Sequence, residues 1–104
     1  MQIQTNTDRN VEGSEALSAQ VRAVVESALG RFSDQVTRVE VHLSDENSTR
    51  VGTDDKRCMM EARLEGRSPT AVTHQAATVE QALDGAAAKL ARSIESMLGR
   101  PRAY

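Results

Sequence analysis

Aromatic side chains are nearly missing from this sequence: 104 residues include one Phe, one Tyr and no Trp. A surface that holds single-stranded nucleic acid by stacking bases on aromatic rings is therefore excluded. The core must instead be built from Val, Leu, Ile, Ala and Met. Cysteine occurs once, at Cys58, so no disulfide forms within the chain and a reducing cytoplasm is the expected location. The opening Met1-Gln2-Ile3-Gln4-Thr5 has neither a basic cluster nor a useful apolar run, and does not read as a secretory signal. No stretch approaches the roughly 20 apolar residues that cross a bilayer, so no membrane partner is expected. An excess of charge of one sign is absent too. Thirteen Lys and Arg stand against fifteen Asp and Glu, a formal net charge of -2, which leaves only local clusters to bind nucleic acid.

What is present is periodicity. Residues 1–7 alternate, with Met1, Ile3 and Thr5 on one face and Gln2, Gln4 and Asn6 on the other, the pattern of a half-buried strand. Ser14 is placed to cap a helix in which Leu17, Val21, Val24, Val25, Ala28, Leu29 and Phe32 form one apolar stripe that Ser33 ends. Val39, Val41 and Leu43, then Cys58, Met60, Ala62 and Leu64, alternate with polar partners and predict two strands, each with one buried face. Residues 65–69 suit a hairpin turn, and 71–77 a fourth, weaker strand carrying Val72, His74 and Ala76 on one side. Thr78 is the expected cap of a last helix with the stripe Val79, Leu83, Ala86, Leu90, Ile94 and Met97, closed by Gly99 and Pro101.

These elements predict one domain over 1–104 of α+β class: a β-α-β-β-β-α two-layer sandwich, with a four-stranded mixed sheet and two helices packed on one face. Residues 44–56 lack periodicity and read as a mobile loop, and 99–104 as a C-terminal tail. The chemistry-bearing residues are sparse. His42 and His74 fall on different strands without ligand spacing, so no metal is expected. The acidic run in the loop has its glycine two places late for a calcium loop and Lys56 where a bidentate Glu would stand. Cys58 lies on the strand face it shares with Met60 and Leu64 and reads as a small core residue. No paired acid and base, glycine-rich phosphate loop or nucleophile motif points to an enzyme or to a cofactor.

The last helix carries the most specific pattern. Its T-V-E-Q-A-L-D-G-A-A-A-K-L-A-R-S-I, residues 78–94, resembles the A-I-D-x-A-x-x-K-L-x-R-Q-I helix of the short ribosome hibernation-promoting and ribosome-associated inhibitor family, also called sigma-54 modulation proteins. Ala82, Leu83, Asp84, Ala86, Lys89, Leu90, Arg92 and Ile94 fall in place. Met1-Gln2-Ile3-Gln4 is similar to that family's first strand, Arg9-Asn10 to its G-R-N turn, Ser14 to Leu17 to its helix start, and V-T-R-V-E-V-H-L-S to its second strand.

The resemblance implies a non-enzymatic protein that docks on the small ribosomal subunit, where mRNA and tRNAs would sit, and reads folded rRNA by shape and phosphate charge. The cations that would make those contacts are Lys89, Arg92, Arg100 and Arg102, with Arg22 and Arg9 as lesser ones. On a helical wheel Lys89 and Arg92 share a flank with Gly85 and Ser96, completed by Gln81 and Ala82, small neighbours that would admit a phosphodiester. The net negative charge and a first helix exposing chiefly Ala19, Arg22, Ala23, Glu26 and Gly30 motivate a second reading. In it the same fold serves as a protein–protein interaction module without ribosome binding, through the open sheet face or as a homodimer.

Overall fold

A computed structural model describes residues 1–46 and 55–99. Strand β1 (Gln2–Thr7) is followed by helix α1 (Glu15–Leu29), a 3₁₀ turn (Gly30–Phe32), strands β2 (Val36–Asp45), β3 (Lys56–Leu64) and β4 (Thr70–Ala76), and helix α2 (Val79–Gly99). The sheet order is β1-β2-β3-β4, with β1 parallel to β2 and the other pairs antiparallel. This is the α+β sandwich that the periodicity predicts. Both helices lie on one side of the sheet, α2 across β3 and β4 and α1 beside it against β1.

The caps act as their sequence suggests. Ser14 Oγ accepts a hydrogen bond from the Leu17 amide at 3.0 Å, and Thr78 Oγ1 accepts from Gln81 at 3.1 Å. Each satisfies one amide that the first helical turn leaves without an intrahelical partner. The first helix is shorter than its stripe predicts. It gives way at Gly30, a poor helix former, and Phe32 enters the core from a tighter turn in which Ser33 N donates to Gly30 O. Between α2 and the inward faces of β2 and β3 lie Val39, Val41, Leu43, Cys58, Met60, Leu83, Leu90 and Ile94, all at most 2% exposed. Burying each of the larger of these side chains contributes roughly 1.5–3 kcal/mol.

The expected loop over 44–56 is narrower at both ends than its polarity suggests. Ser44 and Asp45 belong to β2 and pair with Arg57 and Lys56 of β3. Charge and hydrogen bonding replace apolar burial there. Lys56 Nζ stands 2.8 Å from Asp55 Oδ1 and 3.4 Å from Asp45 Oδ2. The turn after β1 adds two contacts: Asp8 Oδ2 accepts from Asp45 N, and Asn10 Nδ2 donates to Asp45 O. The middle of the expected loop, 47–54, and most of the expected tail, 100–104, lie outside the described residues. At the other end Gly66, with φ 73°, makes the left-handed turn between β3 and β4 that a side chain would strain.

Candidate nucleic-acid interface

Helix α2 presents a flank to strand β4 on residues four apart, Gly85, Lys89 and Ser93. Ser93 Oγ and Thr70 Oγ1 share a hydrogen bond at 3.2 Å, and Lys89 Nζ donates to the Thr73 carbonyl at 2.9 Å. At Gly85 the His74 imidazole occupies the space of the absent side chain: a Cβ placed there would fall 2.6 Å from Cγ and closer still to other ring atoms. The helix therefore settles low over β4. That corrects one reading of the wheel, because Ala82 is fully buried and takes no part in an outer surface, whereas Gln81 and Ser96 are exposed.

Arg92 lies next to this flank but points outward. It is exposed, and among the described residues it makes no hydrogen bond or ion pair. Lys89 is half-buried, with one ammonium proton on Thr73 and two left to donate elsewhere. Arg22 is exposed on α1 at the far edge, where with Arg38, Gln2, Gln4, Met1 and Ile3 it lines an open groove of about 380 Å³. Arg9 is exposed in the turn after β1. Arg100 and Arg102 lie outside the described residues. The structure thus brings Lys89 and Arg92 together at the β4 edge and leaves Arg22 and Arg9 on the β1 side. Three strand spacings, roughly 14 Å, separate the two edges.

Between the helices a shallow groove of about 370 Å³ is lined by Ala23, Val24, Ser27, Ala28, Asp84, Ala87 and Ala88, small side chains with one acid. Beyond it Arg31 is engaged, its Nη2 2.8 Å from Glu95 Oε2 and its guanidinium 4.6 Å above the Phe32 ring. Arg92 on α2, like Arg22 on α1, is thus an exposed cation of the helical layer that no described carboxylate offsets. Arg38, which joins Arg22 in the edge groove, belongs by its strand alternation to the open sheet face that suits a protein partner and is not one of the candidate rRNA contacts. Its side chain bonds Gln4 Oε1 and stands 3.3 Å from Glu40 Oε2. The signal that could have found it is the parallel pairing of β1 with β2, which sets Gln2 beside Arg38.

The sheet face away from the helices is polar and ordered in rows across the strands. Arg38 pairs with Arg63, Glu40 with Glu61, His42 with Met59, and Ser44 with Arg57. Like charges opposite each other cost stability, and here each finds relief along its own strand. Arg38 Nε stands 3.3 Å from Glu40 Oε2, and Arg63 Nε 3.8 Å from Glu61 Oε1. Past the last row, Glu46 Oε1 meets Arg57 Nε at 3.3 Å.

Two groups have shifted titration. Burial pushes the Cys58 thiol up to about 12, which removes its thiolate chemistry near neutral pH. Lys56 is raised above its ordinary value, first by its hydrogen bond to Asp55, which desolvation opposes, and then by Asp45. Among the described residues no group of His, Cys, Asp and Glu is arranged to hold a metal ion, and no helix is long and apolar enough to cross a membrane.

Comparison with known proteins bears on the whole chain. The family model described as sigma 54 modulation protein / S30EA ribosomal protein matches residues 4–102. No curated protein sequence matches. Among solved structures, the Protein Y N-terminal domain from Thermus thermophilus is similar with a TM-score of 0.75 at 22% identity, covering 93% of this chain and 99% of that one. A ribosomal subunit interface protein from Coxiella burnetii is similar with a TM-score of 0.70 at 18% identity, covering 96% and 100%. These likenesses carry the fold, and the match over 4–102 carries the membership: the chain belongs to the sigma 54 modulation protein / S30EA ribosomal protein family.

Proposed function

We propose that this protein is a ribosome-associated translation inhibitor of the hibernation type, which binds the small subunit near the decoding channel through rRNA phosphates and acts by occupancy, with no chemical step. The observation that carries the reading is the family match across residues 4–102. The expected location is the cytoplasm, where ribosomes are. In this reading Arg92 is the leading phosphate contact: like Arg22 and Arg9 it is exposed with no ion pair among the described residues, and Lys89 stands with it at the same edge. Small neighbours, Ala88 and Ser96, let a phosphodiester approach the helix. Lys89 adds its two remaining protons, Arg100 and Arg102 continue the basic run, and Arg22 and Arg9 serve a separate strand of rRNA at the opposite edge.

Co-sedimentation with purified small subunits at low salt tests the reading. Wild-type protein should pellet with the subunits and Arg92→Glu should not, while Arg67→Glu, in the turn between β3 and β4, should behave as wild type. Failure of the wild-type protein to pellet would overturn the function. Unchanged pelleting of Arg92→Glu would overturn the assigned surface.

A further inference from the structure

The open sheet face carries charges in an order that reverses on itself about its central row. From one end of the strands to the other the rows are basic (Arg38 with Arg63), acidic (Glu40 with Glu61), uncharged but for a histidine (His42 with Met59) and basic (Arg57 beside Ser44), and just past the end of β2 stands the acid Glu46, against Arg57. Reading from Met59 outward, the rows next to it carry opposite signs, Glu61 on one side and Arg57 on the other, and beyond them come the bases Arg38 and Arg63 at one end and the acid Glu46 at the other. Rows are two residues apart, about 6.8 Å.

That order decides how a second copy would fit. A two-fold axis lying in the face and running across the strands, over the His42–Met59 row, sets each strand against its own copy with the direction reversed. Glu61 then faces Arg57 of the second copy, Arg38 faces its Glu46, and Met59 meets Met59 at the axis. An axis parallel to the strands would set arginine rows on arginine rows and glutamate rows on glutamate rows, and like charges at contact repel. From the sign order we infer that this face is a homodimer interface whose two-fold axis crosses the strands at Met59 and His42. Two twisted sheets packed this way lie about 10 Å apart with their strands near -30°, an ordinary aligned packing.

The size of the face sets the strength. Four strands at about 4.8 Å spacing and four rows at about 6.8 Å give roughly 500 Å² per copy, or about 1,000 Å² in total, at the low end for a specific interface. Arg57, Arg38 and both glutamates also keep the neighbours they have within one chain, so association extends existing ion pairs and leaves no charge unpaired. The dimer should be weak, with a Kd on the order of 10–100 μM, and should loosen as salt screens its rim.

The inference does not rest on the ribosomal reading, and its test uses pure protein without ribosomes. Sedimentation equilibrium from about 1 to 500 μM at low salt should give a mass that climbs from one chain towards two. Glu61→Arg and Arg57→Glu should each stay monomeric, since each sets like charges against the second copy. An equimolar mixture of the two variants should associate, because arginines at 57 and 61 on one chain then face glutamates at 61 and 57 on the other. Met59→Lys, on the axis, supplies a second disruption and should also remain monomeric, with thermal unfolding establishing that each variant is folded. A wild-type chain that stays monomeric throughout overturns the inference. So does either single variant that dimerises like wild type, or a mixture that does not associate.

Discussion

Replacing Gly85 by Ala should destabilise this protein, although alanine is the better helix former. In a helix interior the exchange is worth about 1 kcal/mol in alanine's favour. Against that stands His74: the new Cβ would lie inside the imidazole, 2.6 Å from Cγ. Because Cγ itself is too close, turning the ring about its own bond does not clear the methyl. The whole side chain must leave its rotamer or α2 must lift from β4. Overpacking of this kind costs about 1–3 kcal/mol, so the net effect should be a loss of about 1 kcal/mol. With His74→Ala in place the obstruction is gone and the same Gly85→Ala exchange should stabilise by about 1 kcal/mol. The double-mutant cycle should therefore give a coupling of about 2 kcal/mol between two residues eleven apart in sequence. Urea unfolding of the four proteins, followed by circular dichroism, measures it, and a loss of 1 kcal/mol should lower Tm by about 4–8 °C. Equal stabilisation by Gly85→Ala in both backgrounds would refute the close approach of α2 to β4.

Two further outcomes concern Lys89 and Cys58. Lys89→Gln removes the ammonium that covers the Thr73 carbonyl on an edge strand. It should cost about 1 kcal/mol in urea unfolding and raise light scattering at high concentration, because an uncovered edge invites pairing with another chain. Stability should also fall on the alkaline side. Cys58 ionises from its usual 9.0 when unfolded but only at about 12 when folded, so the folded form binds the extra proton between those values. The thiol's contribution is complete below pH 9 and is lost as pH rises towards 12, by at most about 1.4 kcal/mol per pH unit. Lys56, also raised, acts in the same direction above its ordinary 10.5. Unfolding midpoints from pH 8 to 11 should drop for the wild type and drop less for Cys58→Val. Parallel curves for the two proteins would count against the burial argument.

Much of this fold could be read from the chain because its signals are local. Alternation in Val39 to Leu43 and Cys58 to Leu64 reports two strands with one wet face each, and Ser14 and Thr78 mark helix starts through hydroxyls that bond amides three residues on. What the local pattern does not carry depends on contacts between elements. Ser44, Asp45 and Lys56 look like loop because they are polar, yet Asp8, Asn10 and Asp55 hold them in or beside the sheet. Ala82 sits on the edge of the helical stripe and is fully buried, on a helix that lies close on β4 where His74, eleven residues before Gly85, fills the space of the absent side chain. The candidate site divided for a related reason. Arg22 and Lys89 are both exposed-looking helix cations, but three hairpin-linked strands running away from β1 carry α2 towards the opposite edge from α1. The order of strands held that information, and the helical wheel did not.

Docking on the small ribosomal subunit through phosphate contacts led by Arg92, as proposed, is an electrostatic association. Binding of the purified protein to purified small subunits, measured at stepped salt concentrations, tests it most directly. The affinity should fall linearly on a logarithmic plot as salt rises, because each neutralised phosphate releases counterions, and Arg92→Gln should flatten the slope by about one. Absence of binding at about 50 mM salt, where such contacts are strongest, would contradict the claim, as would an affinity indifferent to salt.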